Sequence, residues 1–243
     1  MMMSDHAITW RSALRSDVGK LRKSNEDSGL DRPESRLWAV ADGMGGHSAG
    51  DLASQMIVNA LAKINTNSQL SEYVDFVEHS ILGVNNRLYD LSRAQNQTSG
   101  STVVVLVGGE RHCVFLWAGD SRLYRLRNGK LRQLTTDHTQ AEHYIEQGLI
   151  SREGAIGHPS GNMVTRAVGA SPSLFLDIDI AEVYPGDHFM LCSDGLDKHV
   201  TDAEIGVAMQ IEEPQEIADK LIELTLSRGA TDNVTVCAVN TAS

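Results

Sequence analysis

Five short segments of the 243-residue sequence place a carboxylate at a turn, where its oxygens are free to bind another group. They are Asn25-Glu26-Asp27, Asp42-Gly43, Asp120-Ser121, Asp194-Gly195 and Asp232-Asn233. Each segment alone is an ordinary turn former, because Asp and Asn bond readily to nearby backbone groups. Three of them, however, directly follow strongly apolar runs: LWAVA, VFLWAG and FMLCS. Such runs predict buried strands, and because strand ends can converge on one point, we expect these acids to meet.

A cluster of carboxylates is opposed by like-charge repulsion unless cations lie within it. Oxygen-only ligands select hard ions, which are Mg2+, Mn2+ and Ca2+, over zinc or copper. The three cysteines, Cys113, Cys192 and Cys237, form no C-x-x-C pair and so indicate no thiolate zinc site. The pattern therefore predicts a hard-metal site built from acidic side chains.

The elements that must position these acids are short strands and amphipathic helices. In the first part of the chain, the hydrophobic pattern predicts strands at 8–16 and 37–41 and helices at 51–64 and 71–95. Four short strands separated by turn residues follow: 101–107, 112–118, 122–127 and 130–134. The dipeptide Asn128-Gly129 is a strong hairpin signal. Consecutive hairpins predict an antiparallel meander rather than a parallel sheet.

The second part of the chain repeats this alternation on both sides of the Gly-, Ser- and Pro-containing residues 150–172, which we expect to form a mobile surface segment. Its predicted elements are helices at 139–148, 201–210 and 214–227 and strands at 175–183, 187–192 and 233–239. Helix pairs beside antiparallel strands predict an α+β fold, in which α-helices flank a central antiparallel β-sandwich on both sides. No linker or repeat divides the chain, so we expect residues 1–243 to form a single domain.

Charge and composition restrict the partners. The formal net charge is −11, from 21 basic and 32 acidic residues, and such a surface repels nucleic acid and anionic membranes. The segment MMMSDHAITW lacks the apolar core of a signal peptide, and no run reaches the roughly 18 apolar residues of a membrane span. The odd number of cysteines fits a reducing compartment, so we expect a cytoplasmic protein.

One rival enzyme class has a motif of its own. The run Gly46-His47-Ser48-Ala49-Gly50 matches the G-x-S-x-G elbow of serine hydrolases and lies between a predicted strand and a predicted helix. Asp194 and His199 follow in the order that such an enzyme needs. Against this, the segment 42–45 separates the strand from the elbow, and a meander contradicts the parallel sheet of that fold. A cysteine phosphatase and a Walker-type ATPase are excluded, because neither C-x5-R nor G-x-x-x-x-G-K-[ST] occurs.

The acidic turns also form a familiar series. In order, the sequence carries RKSNED at 22–27, ADGMGG at 41–46, GDSR at 119–122, SDGL at 193–196 and TDNV at 231–234. This series resembles the PPM class (type 2C) of metal-dependent serine/threonine protein phosphatases, in particular its small bacterial members that consist of a catalytic domain alone. The motifs extend over nearly the whole chain. The resemblance implies Mn2+- or Mg2+-dependent hydrolysis of phosphoserine and phosphothreonine on proteins, and a cognate serine/threonine kinase whose targets the protein dephosphorylates.

The resemblance also implies a set of direct metal ligands. Asp42 would bridge two metal ions, and the backbone carbonyl of Gly43 would bind one of them. Asp194 and Asp232 would bind the first ion. A hydroxide formed from a water between the two ions would then attack the phosphorus atom in line with the serine or threonine oxygen.

Four further residues receive roles by the same resemblance. Glu26 and Asp27 would hold waters of the second ion, Asp120 would help to bind a third, and Arg22 would bind the substrate phosphate. Animal members have a histidine, proposed as general acid, where this chain has Met44, so the resemblance assigns no general acid here. A third reading is a non-catalytic pseudophosphatase that binds partners, but a missing ligand would mark it and all the expected acids are present.

Overall fold

The computed structural model describes residues 8–45, 49–65, 69–97, 99–155, 158, 160–161 and 163–243. Its strands in chain order are β1 (Thr9–Asp17), β2 (Asp27–Arg32), β3 (Leu37–Gly45), β4 (Ser99–Ser101), β5 (Val103–Gly108), β6 (His112–Ala118), β7 (Arg122–Arg127), β8 (Lys130–Gln133), β9 (Asp177–Glu182), β10 (His188–Cys192) and β11 (Val234–Ala242). Its helices are α1 (Ala49–Leu61), α2 (Leu70–Gln95), α3 (Gln140–Glu146), α4 (Arg152–Ala155), α5 (Asp194–Asp197), α6 (Asp202–Ala208) and α7 (Pro214–Ser227).

The strands form two antiparallel sheets. The first has the order β1-β11-β10-β7-β8. The second has the order β2-β3-β5-β6-β9, and β4 adds a short pairing to β3. The two ends of the described chain meet in the first sheet, where β1 pairs along its whole length with β11.

Three apolar cores separate the layers, and each central strand contributes side chains to two of them. On β10, Phe189 and Leu191 point into the core between the sheets, whereas Met190 and Cys192 point into the core beneath α6 and α7. Strands β3 and β5 alternate in the same way between the inner core and the core beneath α1 and α2. Strands buried on both faces read as continuous apolar runs, which explains LWAVA and FMLCS. The predicted α+β sandwich with helices on both sides is confirmed.

Helix boundaries have local causes. Helix α6 begins with a capping box, in which the side chains of Thr201 and Glu204 satisfy each other's backbone amides. Helix α7 begins at Pro214, whose fixed φ and missing amide hydrogen suit the first helical turn. In the described part of the chain, no helix is both long enough and apolar enough to cross a lipid bilayer.

The predicted single meander is wrong. Strands β5 and β6 pair in the second sheet, whereas β7 and β8 pair in the first, and the Asn128-Gly129 hairpin joins only the latter two. The chain crosses between sheets at Gly119-Asp120-Ser121. Gly119 has φ +111°, and a Cβ there would lie 2.5 Å from the Cβ of Thr102, so only glycine fits this tight crossover.

Several further elements differ from the sequence prediction. Strand β2, whose sequence DSGLDR is polar and alternates poorly, was not predicted, and neither were the short elements β4, α4 and α5. The segment 150–172 was expected to lie on the surface, but Ala167 and Val168 are buried and the backbone of Val168 pairs with Ser101. The other predicted helices and strands are present, with ends shifted by a few residues.

Candidate metal centre

The acidic turns of the five motifs meet in one cleft where strands of both sheets end. The cleft has a volume of about 810 Å3. Most of the residues expected at the site line it: Arg22, Glu26, Asp42, Gly43, Asp120, Asp194 and Asp232. Because β3 belongs to one sheet and β10 and β11 to the other, neither sheet alone could form the cleft.

Asp27 is the expected site residue that lies behind the cleft wall. It begins β2 and is paired in register with Asp42 on β3. Its Oδ2 accepts hydrogen bonds from the hydroxyls of Ser193 (2.7 Å), directly after β10, and Thr235 (2.8 Å), on β11, and both of these strands belong to the other sheet. Its Oδ1 is buried and has no hydrogen-bond partner. Burial raises the pKa of Asp27 to about 6, although the two hydroxyls act in the opposite direction.

The carboxylates of the cleft repel one another. Burial raises the pKa of Asp42 well above its ordinary value, and the charges of Asp27 and Asp194 raise it further. Burial and the charge of Asp194 likewise raise the pKa of Asp120 to about 7. Both shifts arise first from burial and then from the neighbouring carboxylates, which disfavour the ionised forms of Asp42 and Asp120.

Asp194 and Asp232 are brought together by a close backbone approach. Asp194 begins α5 directly after β10, and Asp232 lies just before β11. A Cβ on Gly195 would lie 1.8 Å from the carbonyl oxygen of Asn233, so the start of α5 can touch this segment only with glycine at 195. The Asp-Gly of SDGL is therefore a packing requirement as well as a turn signal.

Asn233, just before β11, forms hydrogen bonds to the loop between β1 and β2. Its side-chain amide donates to the carbonyls of Val18 (2.8 Å) and Ser24 (3.0 Å), and its side-chain oxygen accepts from the amide of Glu26 (2.8 Å). The carbonyl of Glu26 in turn accepts from the amide of Gly43 (3.1 Å). These bonds place Glu26 at the edge of the cleft, where burial raises the pKa of its carboxyl group.

Two basic side chains hold the carboxylates of Asp194 and Asp232. Arg22 binds both oxygens of Asp232, with Nε 2.8 Å from Oδ1 and Nη2 3.0 Å from Oδ2. Lys198 Nζ lies 3.0 Å from Asp232 Oδ2 and 2.6 Å from Asp194 Oδ2. Burial raises the pKa of Asp232, but the bonds from Lys198 and Arg22 outweigh that effect and leave the pKa below its ordinary value.

The residues of the cleft fit a hard divalent cation. Within the described ranges, no three Asp, Glu, His or Cys side chains already form a complete metal-binding group. The acidic side chains nevertheless offer only oxygen donors, which Mg2+ and Mn2+ prefer. Asp27 Oδ1 and Asp194 Oδ1 are both buried without a hydrogen-bond partner, and such oxygens are costly unless a cation or a water binds them.

A second ionic cluster joins the segment that carries Asp120 to the helix that begins with Asp194. Arg122 binds both oxygens of Asp137, with Nη2 2.6 Å from Oδ2, and its Nη1 lies 3.0 Å from Asp197 Oδ2. Arg122 follows Asp120 by two residues, and Asp197 belongs to the same short helix as Asp194. The guanidinium group therefore ties together the two segments that carry these acids.

The serine hydrolase elbow receives no support from the fold. Gly46, His47 and Ser48 lie outside the described residues, and α1 begins at Ala49. The strands of both sheets pair antiparallel, whereas the elbow requires a parallel sheet.

Several residues around the cleft were not predicted from the sequence. Lys198 follows Asp194 by four residues, a helical spacing that places two side chains on one face and could have indicated their ion pair. The contacts of Ser193 and Thr235 with Asp27 had no local signal, because they join strands of different sheets. Met44 lines the cleft, as its place between the DG and GG residues would allow.

The chain matches a known protein family, and this match distinguishes the phosphatase from the serine hydrolase. The family model described as "Protein phosphatase 2C" matches residues 23–230, which is most of the chain. The chain belongs to the protein phosphatase 2C family. The family expected from the five motifs is thereby confirmed, and the serine hydrolase alternative is not favoured.

Members of the 2C family align along the whole described fold. Serine/threonine protein phosphatase PstP of Mycobacterium tuberculosis is 36% identical over 238 residues, which cover 96% of this chain and 45% of PstP. The chain thus spans about half the length of that relative. The structure of PppA, titled a key regulatory component of T6SS in Pseudomonas aeruginosa, is 42% identical with a TM-score of 0.90, and the match covers 96% of this chain and 97% of PppA.

A further 2C structure is titled as a metal complex. The catalytic domain of PstP in complex with two manganese ions is 33% identical to this chain, with a TM-score of 0.86. The match covers 97% of this chain and 100% of that domain.

Proposed function

We propose that this protein hydrolyses phosphoserine and phosphothreonine monoesters on proteins, with Mn2+ or Mg2+ bound in the acidic cleft. The observation that carries the proposal is the convergence of Asp42, Asp194 and Asp232 with Arg22 in one cleft of a 2C-family fold. The manganese ions of the related PstP structure support the choice of metal.

Each acidic residue of the cleft has a role in this proposal. Asp42, Asp194, Asp232 and the carbonyl of Gly43 would hold two ions, and Asp120 would contribute with Asp194 to a third. Glu26, and Asp27 behind the cleft wall, would hold waters of the second ion. Bound divalent cations supply the Lewis acidity that activates water at neutral pH and neutralises the charge of the phosphoryl group.

Arg22 is the residue that orients the substrate. Its side chain is 54% exposed at the rim of the cleft, so the guanidinium group can turn from Asp232 toward an incoming phosphate. A planar guanidinium can donate two parallel hydrogen bonds to phosphoryl oxygens, which fixes the phosphate as well as attracting it. Met44 lines the same cleft but has no proton to donate, so the chain supplies no general acid at that position.

The substrates that we propose are phosphoproteins of a bacterial serine/threonine kinase pathway, including the kinase itself. The relatives named as serine/threonine phosphatases support the phosphoprotein class. We propose one catalytic domain over residues 1–243, supported by the pairing of β1 with β11. We also propose a cytoplasmic location, because Cys113, Cys192 and Cys237 are all unpaired and buried, as expected in a reducing compartment.

The decisive test is metal-dependent hydrolysis of a phosphothreonine peptide by the purified protein. We expect activity with Mn2+ that EDTA abolishes and added Mn2+ restores. Asp42→Ala should have no measurable turnover, whereas Asp90→Ala, which removes an exposed carboxylate on α2, should match the wild type. Wild-type turnover by Asp42→Ala would refute the site, and EDTA-resistant esterase activity would favour a serine hydrolase instead.

A further inference from the structure

Lys198 is placed where a metal ion would compete with it. Its Nζ lies 2.6 Å from Asp194 Oδ2 and 3.0 Å from Asp232 Oδ2, so one ammonium group bridges two of the proposed metal ligands. Its side chain is only 25% exposed, and it lines the cleft together with Asp42. A lysine that is merely a solvated surface residue would not be held in this way.

The bridge neutralises two carboxylates that the fold holds close together. Asp194 and Asp232 approach each other because Gly195 packs against the Asn233 backbone, and two carboxylates held this close repel each other. An ammonium group is a compact point charge that can neutralise both of them. The geometry leaves Asp194 Oδ1 buried and unpartnered, so Lys198 satisfies this carboxylate only in part.

We propose that Lys198 is the internal counter-ion of Asp194 and Asp232, and that a divalent metal ion must displace its ammonium group in order to bind. This inference rests on the proposed metal site. It makes Lys198 a positioning residue that sets the metal affinity of the site and keeps the acidic cleft assembled before metal binds. Lys198 binds one oxygen of each aspartate, whereas Arg22 binds only Asp232 of the two, so the ammonium group and the ion would bind the same pair of side chains in alternation.

Calorimetric titration of the metal-free protein with Mn2+ tests the proposal without any turnover. Lys198→Met keeps the apolar stem and removes the charge, so the tightest Mn2+ site should bind at least about tenfold more strongly. Lys130→Met is the matched control, because it removes the same charge from the exposed end of the β7–β8 hairpin, and it should bind Mn2+ as the wild type does. Unchanged or weaker Mn2+ binding by Lys198→Met would overturn the proposal.

The wild-type protein provides a second measurement, which stays informative if Lys198→Met fails to fold. An amine-acylating reagent, with modified lysines located by mass spectrometry, should label Lys198 more extensively after Mn2+ is added, because the metal releases its ammonium group. Labelling of Lys130 should not change. Equal labelling of Lys198 with and without Mn2+ overturns the displacement, whereas a wild-type protein that binds no Mn2+ at all refutes the metal site itself.

Discussion

Replacing Arg122 with methionine removes the guanidinium group that neutralises two partly buried carboxylates. Arg122 is 22% exposed, and its partners Asp137 and Asp197 are 13% and 20% exposed, so water screens this cluster poorly. Removal of one partner from such a pair leaves an uncompensated charge, which typically costs about 3–5 kcal/mol. This destabilisation applies once and not once per carboxylate, because the three side chains form one network.

The expected loss is large enough to measure by heat unfolding. For a chain of this size, 1 kcal/mol corresponds to about 2–4 °C, so the melting temperature of Arg122→Met should fall by about 6–20 °C. Circular dichroism of the protein in EDTA would record it without a contribution from bound metal. Arg132→Met is the control, because Arg132 is exposed on β8, and such a change is expected to stay within about 0.5 kcal/mol.

The lower melting temperature of Arg122→Met should arise from the uncompensated charge and not only from lost packing. Adding Asp197→Asn to Arg122→Met removes one of the stranded carboxylates and should recover part of the melting temperature. A charge effect is refuted if Arg122→Met has the same melting temperature as Arg132→Met, or if the double variant is less stable than Arg122→Met by the full cost of Asp197→Asn alone.

Three further outcomes are expected. Arg22→Ala should raise KM for a phosphothreonine peptide without weakening Mn2+ binding, and a parallel loss of both would contradict its role. Gly195→Ala should lower the melting temperature, since its Cβ would lie 1.8 Å from the Asn233 carbonyl oxygen, whereas Gly83→Ala, with no atom within 4 Å, should not. Burial raises the pKa of Asp197 from 3.8 to about 7, so the folded state holds a proton between these two values that the unfolded state releases, whereas above about pH 7 Asp197 is ionised beside Arg122. The free energy of unfolding of the wild type should therefore rise, relative to Asp197→Asn, as pH falls from about 8 to 5; an equal pH profile would contradict this.

The sequence was sufficient to predict the sandwich and the meeting of the acids, because both depend on local patterns. Apolar runs such as LWAVA mark strands buried on both faces, and an acid directly after such a run must lie at a strand end. Strand β2 was not predicted because Leu30 is its one buried apolar residue. As an edge strand that pairs only with β3, it needs little apolar surface.

The particular side-chain and backbone contacts between distant segments could not be predicted from the sequence. The sheet change at Gly119 depends on the proximity of Thr102, and the bond from Thr235 to Asp27 joins residues at opposite ends of the chain. The bridging position of Lys198 requires both the start of α5 and the approach of Asp232. No window of sequence contains such information, because it arises only once the two sheets have packed.

The pairing of β1 with β11 has a consequence for protein synthesis. Asp232 and the strand after it are translated long after Asp27 and Asp42, yet Asn233 and Thr235 hold the early segments in place. A nascent chain still on the ribosome therefore cannot assemble the cleft until β11 has emerged. A copy that lacks β11 and the residues just before it would have neither Asp232 nor the bonds from Asn233 and Thr235, so it could not assemble the proposed metal site.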